Sequence, residues 1–330
     1  MGKGEIQQIL GVLTRAIKRE TASYSYYFRA GRDGSLPDSV RGLIAQLAEE
    51  ERVHRRLLLD QYISLQRDWK GKDSSGRDGG GISYSVPPKV SFQPLRISED
   101  IDIQAVTLPT RMIGGDNVLV RAAKNRSGTT TGAFVALYDV MGHAIETTRA
   151  NAFAASILGE CLDSTMCSDD LREVNSPSKL ITHLNAKFVG EFQSLGVFLT
   201  LFSAFIDTEE SEIVYTAAGH EPPMILRGDG RVDSLFNTQL IVGIDERQTY
   251  TESKIPLNSG DTLCIFTDGI LEARNPEGDF YGRDELRDSL IRWGGSDAGA
   301  ALTGIMGDLR AFCGDQPLQD EVTVVLMRFS

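Results

Sequence analysis

The sequence predicts an α+β fold, a sandwich of β-sheets flanked by helices and preceded by an all-α helical hairpin, and three observations carry that reading. Before about residue 70, apolar side chains recur at steps of three and four, the period of a helix buried on one face. After about residue 100 the pattern changes to short runs rich in β-branched and aromatic residues, separated by turn chemistry such as Asp207-Thr208-Glu209-Glu210 and Arg227-Gly228-Asp229-Gly230. Between them lies Gly71-Lys72-Asp73-Ser74-Ser75-Gly76-Arg77-Asp78-Gly79-Gly80-Gly81, which has too little apolar surface to stay ordered and reads as a flexible linker. The expected division is a hairpin over 1–69, a linker over 70–92 and a second domain over 93–330.

Each element has its own signal. The two helices of the hairpin are separated by Gly31-Arg32-Asp33-Gly34-Ser35-Leu36-Pro37-Asp38, where a glycine stops the first and a proline with an Asp or Ser cap starts the second. Strands are expected at 101–108, 132–138, 197–206, 213–218, 223–226, 261–267 and 321–329, and helices at about 143–161, 177–193, 283–293 and 297–312. Strands in antiparallel-looking pairs, with helices in pairs between them, favour a layered sandwich over a doubly wound parallel sheet.

Composition excludes several classes of function. A chain of 330 residues, 41% hydrophobic and 24% charged, is long enough for two globular domains. The net charge of −12 argues against nucleic acid or an anionic membrane as the main partner. No apolar stretch approaches the roughly 20 residues of a membrane span, and no signal-peptide or myristoylation pattern opens the chain, so a cytoplasmic protein is expected. Cys161, Cys167, Cys264 and Cys313 lack disulfide density and zinc-ligand spacing; reduced thiols are expected, a redox pair at Cys161 and Cys167 being the other reading.

Three aspartates end or precede apolar runs: Val135-Ala136-Leu137-Tyr138-Asp139, Leu263-Cys264-Ile265-Phe266-Thr267-Asp268, and Asp320 before Glu321-Val322-Thr323-Val324-Val325-Leu326. Carboxylates packed together cannot all stay ionised unless a cation compensates them, so the pattern points to a hard-metal site. The full set is Gly114-Gly115-Asp116, Asp139-Val140-Met141-Gly142-His143, Ala217-Ala218-Gly219-His220-Glu221-Pro222-Pro223, Thr267-Asp268-Gly269 and Asp320-Glu321-Val322-Thr323. In this order, over about residues 95–330, the chain resembles the metal-dependent protein phosphatases of the PPM (protein phosphatase 2C) superfamily. The bacterial branch typified by stage II sporulation protein E and the stress-response phosphatases is the most similar. Thr267-Asp268-Gly269-Ile270-Leu271-Glu272-Ala273-Arg274-Asn275-Pro276-Glu277-Gly278, followed by Phe280-Tyr281-Gly282, looks like that branch nearly letter for letter.

The resemblance implies a PPM-type β-sandwich holding two Mn²⁺ or Mg²⁺ ions, and a metal-bridging water that attacks a phosphoserine or phosphothreonine. By the same resemblance, Asp139 would bridge both metals and the Val140 carbonyl would complete the first site. Asp268 and Asp320 would hold the second metal, with Asp116 bound directly or through water. Gly114, Gly115, Gly142 and Gly269 would let the backbone turn tightly where the carboxylates converge. The chain departs from the family pattern with Leu119 where a second Asp usually follows, with Ala144 after Gly142-His143, and with Asp320-Glu321 for a paired Asp. Arg111 is a candidate clamp for a substrate phosphate, or a solvated strand arginine. His220 reads either as a general acid or as a histidine that organises its turn, and His143 reads as supporting the site.

The hairpin carries a second carboxylate pattern. Ile6, Ile9, Leu10, Leu13, Ile17, Tyr24, Tyr27 and Phe28 form the apolar stripe of the first helix, and Val40, Ile44, Leu47, Leu58, Tyr62 and Leu65 that of the second. Glu20, Glu51 and His54 fall on these stripes, and Glu on one helix with Glu-x-x-His on the next is half of a di-iron carboxylate site. Over about residues 4–66 the hairpin is similar to the rubrerythrin branch of the ferritin-like superfamily. That implies iron and, because a full site needs four helices, a homodimer whose hairpins pair into a four-helix bundle. The other reading is a dimerisation hairpin whose three polar residues bridge to Arg and Lys.

Together these readings predict a serine/threonine phosphatase acting on a phosphorylated regulatory protein. Analogy with the bacterial branch makes that substrate an anti-sigma-factor antagonist, and the hairpin a dimerising sensor. The rivals are a di-iron peroxidase or ferroxidase with the phosphatase-like domain as scaffold, and a phosphoprotein-binding pseudophosphatase without turnover.

Overall fold

The computed structural model describes residues 3–31, 35–70, 91–96, 101–110, 114–124, 129–142, 144–165 and 176–330. Residues 71–90 of the expected linker, Arg111, His143 and Cys167 lie outside the described residues.

Helices α1 (Lys3–Ala30) and α2 (Asp38–Lys70) form the predicted hairpin. Among the described residues twelve strands follow: β1 (Ser91–Arg96), β2 (Ile101–Leu108), β3 (Asp116–Lys124), β4 (Thr130–Met141), β5 (Phe198–Asp207), β6 (Glu212–Ala218), β7 (Met224–Leu226), β8 (Val232–Ser234), β9 (Thr238–Gln239), β10 (Ser253–Pro256), β11 (Thr262–Phe266) and β12 (Val322–Phe329). Helices α3 (Ala144–Thr165), α4 (Pro177–Phe192), α5 (Asp268–Glu272), α6 (Gly282–Trp293) and α7 (Ala298–Cys313) are set among them.

One sheet has the order β1-β2-β12-β11-β7-β8, and the other β10-β6-β5-β4-β3 with β9 paired to β6. All named pairings are antiparallel except β6 with β9, as expected of a sandwich rather than a parallel α/β sheet. Ile103, Val135, Phe202, Ile265 and Val325 interdigitate between the sheets. Helices α6 and α7 cover the outer face of the first sheet through Leu286, Leu290, Leu302 and Ile305. Helices α3 and α4 cover the second through Ala154, Leu158, Ile181, Leu184 and Phe188.

Local chemistry explains the boundaries. Ser176 caps α4 by accepting from the Lys179 N–H at 3.4 Å, and Pro177 occupies the first helical turn, where its missing donor costs nothing. Strand β4 reads as a continuous apolar run because it lies between β3 and β5 with helices on one face and the opposite sheet on the other. Strands β1, β3, β8, β9 and β10 were not expected from the sequence. Of these β1 carries Pro94, tolerated because the strand is a sheet edge, and β3 is an edge whose residues are mostly half-buried and do not alternate. Strand β1 also starts two residues ahead of the expected domain boundary at 93.

The hairpin is seated on the sandwich. Ile6, Leu10, Ile17, Leu59 and Tyr62 form one apolar cluster with Phe198, Leu240, Ile241 and Ile244. Tyr62 meets Phe198 edge-on at 5.4 Å, and Phe28 stacks on Phe236 at 4.7 Å. The apolar stripe expected to face a second copy is therefore covered largely by the chain's own sandwich.

Candidate metal centre and the cleft above it

Asp139 is placed by the second sheet and Asp268 and Asp320 by the first. Asp139 lies near the end of β4, directly across the ladder from Asp116 at the start of β3. Strands β11 and β12 run antiparallel, so the C-terminal end of β11, where Asp268 opens α5, adjoins the N-terminal end of β12, where Asp320 and Glu321 stand. Two bonds lock this junction: the Thr267 N–H donates to the Thr323 carbonyl, and the Thr323 N–H to Thr267 Oγ1, both at 3.0 Å.

The same threonine ties the two sheets together. Thr267 Oγ1 donates to Asp116 Oδ2 at 2.9 Å, and Glu321 Oε2 accepts from the Asp116 N–H at 3.2 Å. Sequence reasoning treated Glu321 as a variant of a paired aspartate; the structure makes it the acceptor that fixes the start of β3. Leu119, at the other departure, packs on the layer between β4 and α3, so that position carries core rather than ligand.

The backbone closes tightly around these carboxylates. A Cβ on Gly114 would fall 2.2 Å from Glu321 Oε1, one on Gly115 2.4 Å from Asp139 Oδ1 and 2.7 Å from the Val140 carbonyl oxygen, and one on Gly269 1.9 Å from the Glu321 carbonyl oxygen. Any side chain at Gly114, Gly115 or Gly269 would occupy space the acidic cluster uses, whereas one at Gly142, the fourth glycine of the sequence reading, would meet Val197 and Thr147 instead.

Burial and mutual repulsion raise the carboxyl pKa values. Asp139 is pushed up to about 8, by burial first and then by the negative charges of Asp268 and Asp320. Asp116 is also held well above the usual carboxylate range, by burial and then by Asp139, and Glu321 is raised by burial. Carboxylates in such a cluster need protons or cations, and an oxygen-only donor set with the Val140 carbonyl beside it suits hard divalent ions. The residues present fit the implied Mn²⁺ or Mg²⁺ pair.

A small cavity of about 40 Å³ opens here, lined among others by Asp139, Asp268, Thr267 and His220. His220 is buried, and its Nδ1 lies 2.9 Å from the Glu221 carbonyl oxygen, which fixes the ring proton on Nδ1. That contact is the turn-organising role expected from the sequence. Its Nε2, however, has no hydrogen-bond partner among the described residues, and His220 lines the same cavity as Asp139 and Asp268, which the motif had not indicated. Burial lowers the His220 pKa.

The cavity is roofed by α2. Arg52, Arg55 and Arg56 line it, and Arg56 reaches both Asp268 and Asp320. Sequence reading passed over these arginines, although their spacing of three and four places them on one helix face.

In the hairpin, Glu20, Glu51 and His54 do converge, each offering a ligand atom within 4.8 Å of the others. Glu20 is buried, Glu51 half-buried and His54 exposed, with His54 Nδ1 3.7 Å from Glu51 Oε2. A side-chain hydrogen bond with Glu20 is the leading cause that raises the Glu51 carboxyl. Arg19 Nη2 lies 3.3 Å from Glu20 Oε1. Cys161, Cys264 and Cys313 are free thiols. Among the described residues no helix is long and apolar enough to cross a membrane.

The sandwich with its helical layers is a fold shared with protein phosphatase 2C-type domains. The SiaA-PP2C domain of Pseudomonas aeruginosa superposes with a TM-score of 0.59 at 17% identity, covering 69% of this chain and 86% of that one. The catalytic domain of the serine threonine protein phosphatase PstP, solved in complex with 2 manganese ions, superposes with a TM-score of 0.51 at 15% identity over 69% and 98%. Residues 129–330 match the family model of stage II sporulation protein E (SpoIIE), and the chain belongs to that family. Among curated relatives, the phosphoserine phosphatase RsbU of Bacillus subtilis (strain 168) is 26% identical over 232 residues, covering 70% of this chain. Protein IcfG of Synechocystis sp. (strain ATCC 27184 / PCC 6803 / Kazusa) is 35% identical over 100 residues, 30% of this chain. The chain spans 64% of the length of RsbU and 16% of that of IcfG.

Proposed function

We propose that this chain is a metal-dependent serine/threonine protein phosphatase, acting on a phosphoserine or phosphothreonine of a regulatory protein of the anti-sigma-factor-antagonist type. The observation that carries the reading is the convergence of half-buried carboxylates from both sheets, with Asp139 and Asp116 pushed upward in pKa. Family membership and a relative named as a phosphoserine phosphatase support the substrate class. Retention of Asp116, Asp139, Asp268 and Asp320 favours turnover over a binding-only pseudophosphatase.

When bound, two Mn²⁺ or Mg²⁺ ions lower the pKa of a shared water, align it with phosphorus and neutralise phosphoryl charge. In this reading Asp139, the Val140 carbonyl, Asp268 and Asp320 would hold these ions. Thr267 and Glu321 keep Asp116 in place through its carboxylate and its N–H. His220 keeps its proton on Nδ1 and leaves Nε2 as an acceptor for a water or hydroxyl.

For the hairpin, we infer a dimerising module whose Glu20, Glu51 and His54 form half of an iron site completed by a second copy; their convergence supports it. The division into 1–69, 70–92 and 93–330 is part of the same reading. A single experiment tests both sites: purified chain is analysed for bound metals and assayed on a phosphoserine protein with added Mn²⁺. Hydrolysis is expected, falling at least a thousandfold in Asp139→Asn and Asp268→Asn, and iron is expected at two atoms per dimer. Undiminished hydrolysis in either variant sinks the phosphatase assignment, and absence of iron removes the hairpin site and with it the peroxidase alternative.

A further inference from the structure

The face of α2 laid over the cleft carries three arginines, and all three reach acidic groups of the sandwich. Arg56 Nη1 lies 2.5 Å from Asp268 Oδ2 and 3.9 Å from Glu272 Oε1, while its Nη2 lies 3.6 Å from Asp320 Oδ2. Arg52 Nη1 donates to Glu272 Oε1 at 3.2 Å. Arg55 lies 4.0 Å from Glu221 Oε1, with its guanidinium 5.2 Å from the centre of the Tyr24 ring. The apolar cluster of Ile6, Leu10, Ile17, Leu59 and Tyr62 with the sandwich holds the helix in this position.

The two aspartates that Arg56 bridges are the two assigned to one divalent ion. A divalent cation would approach a carboxylate oxygen to about 2.1–2.5 Å. Asp268 Oδ2 is already engaged by Arg56, and a guanidinium and a metal ion crowded onto the same two carboxylates repel each other strongly in a cleft partly screened from water. An arginine placed to hold a substrate phosphate would direct its fork away from the carboxylates; Arg56 directs both terminal nitrogens at them.

We propose that α2 is an internal competitor for the metal: Arg56 takes the place of a divalent cation between Asp268 and Asp320, and the hairpin must shift for that position to load. The inference rests on the metal-site reading given above. It makes the hairpin a gate on metal occupancy rather than a tether.

The test is Mn²⁺ binding to the full chain by isothermal titration calorimetry, with hydrolysis of a phosphoserine peptide followed in parallel. Arg56→Ala is expected to bind the weaker of the two Mn²⁺ ions at least tenfold more tightly than the parent chain, with Arg56→Lys between them. Ile17→Asp, which loosens the apolar seat and leaves every arginine in place, is expected to tighten Mn²⁺ binding in the same direction. Equal Mn²⁺ affinity in the parent and Arg56→Ala chains, both hydrolysing the peptide, overturns this proposal alone. A raised KM for the peptide in Arg56→Ala with unchanged Mn²⁺ affinity also overturns it, and makes Arg56 a phosphate-holding residue. Absence of Mn²⁺ binding in every chain overturns both this proposal and the phosphatase reading.

Discussion

Asp139 shows how one residue couples the proposed metal site to stability. Its folded pKa near 8 lies far above that of an unfolded aspartate, so between about pH 4 and 8 the folded, metal-free chain holds a proton that the unfolded chain has lost. The sign follows: stability is greatest below the unfolded pKa and declines as pH rises through the folded one. In EDTA the melting temperature is therefore expected to fall between pH 5 and 8.5 by about 5 °C or more, given roughly 2–4 °C per kcal/mol for a domain of this size. Asp139→Asn or saturating Mn²⁺ should flatten that slope, and a pH-independent melt in EDTA would contradict the buried-cluster account. The identities of these residues were legible because an aspartate after an apolar strand is conspicuous. Glu321 was not legible as a hydrogen-bond acceptor, since its partner, the Asp116 N–H, is distant in sequence.

At the scale of elements, the hairpin seat is governed by packing that its own periodicity does not specify. The stripes on α1 and α2 identify which faces are buried but not against what. Tyr62 is buried and edge-on to Phe198, so Tyr62→Ala is expected to cost about 3 kcal/mol of docking energy, as large-to-small aromatic changes do. Hydrogen exchange should then show faster opening of α1 and α2 while β4, β5 and β11 keep their protection; uniform loss across the sandwich would place Tyr62 in a common core instead. The strands that escaped the sequence reading share a physical trait. They are edges or segments of two to four residues, where neither alternation nor a long apolar run can develop.

For the whole molecule, the docked hairpin leaves a second apolar face outward. Val12, Tyr26, Leu43, Val53 and Leu57 are all exposed large hydrophobics on the two helices, a concentration that isolated surface apolar residues do not show. A second copy applied to this face would let the hairpin dimerise while remaining seated on its own sandwich. Light scattering is expected to give twice the chain mass, and Leu57→Glu to give the monomer with its melting temperature nearly unchanged. A parent chain that runs as a monomer at every concentration would remove the dimer.

The sequence by itself determined the α+β class, the order of the principal strands and helices, and the three strand-end aspartates proposed for a metal centre, Asp116 being supplied by the family resemblance. Those follow from local periodicity and from chemistry that tolerates few residue types at a strand end. Only the tertiary structure decided that Asp139 and Asp116 face Asp268 and Asp320 from opposite sheets, that His220 lines a cavity with Asp139 and Asp268, and that α2 covers the site with Arg56. Each of these depends on contacts between residues far apart along the chain, and a helix face carrying arginines looks the same in sequence whether it meets water or a cluster of carboxylates.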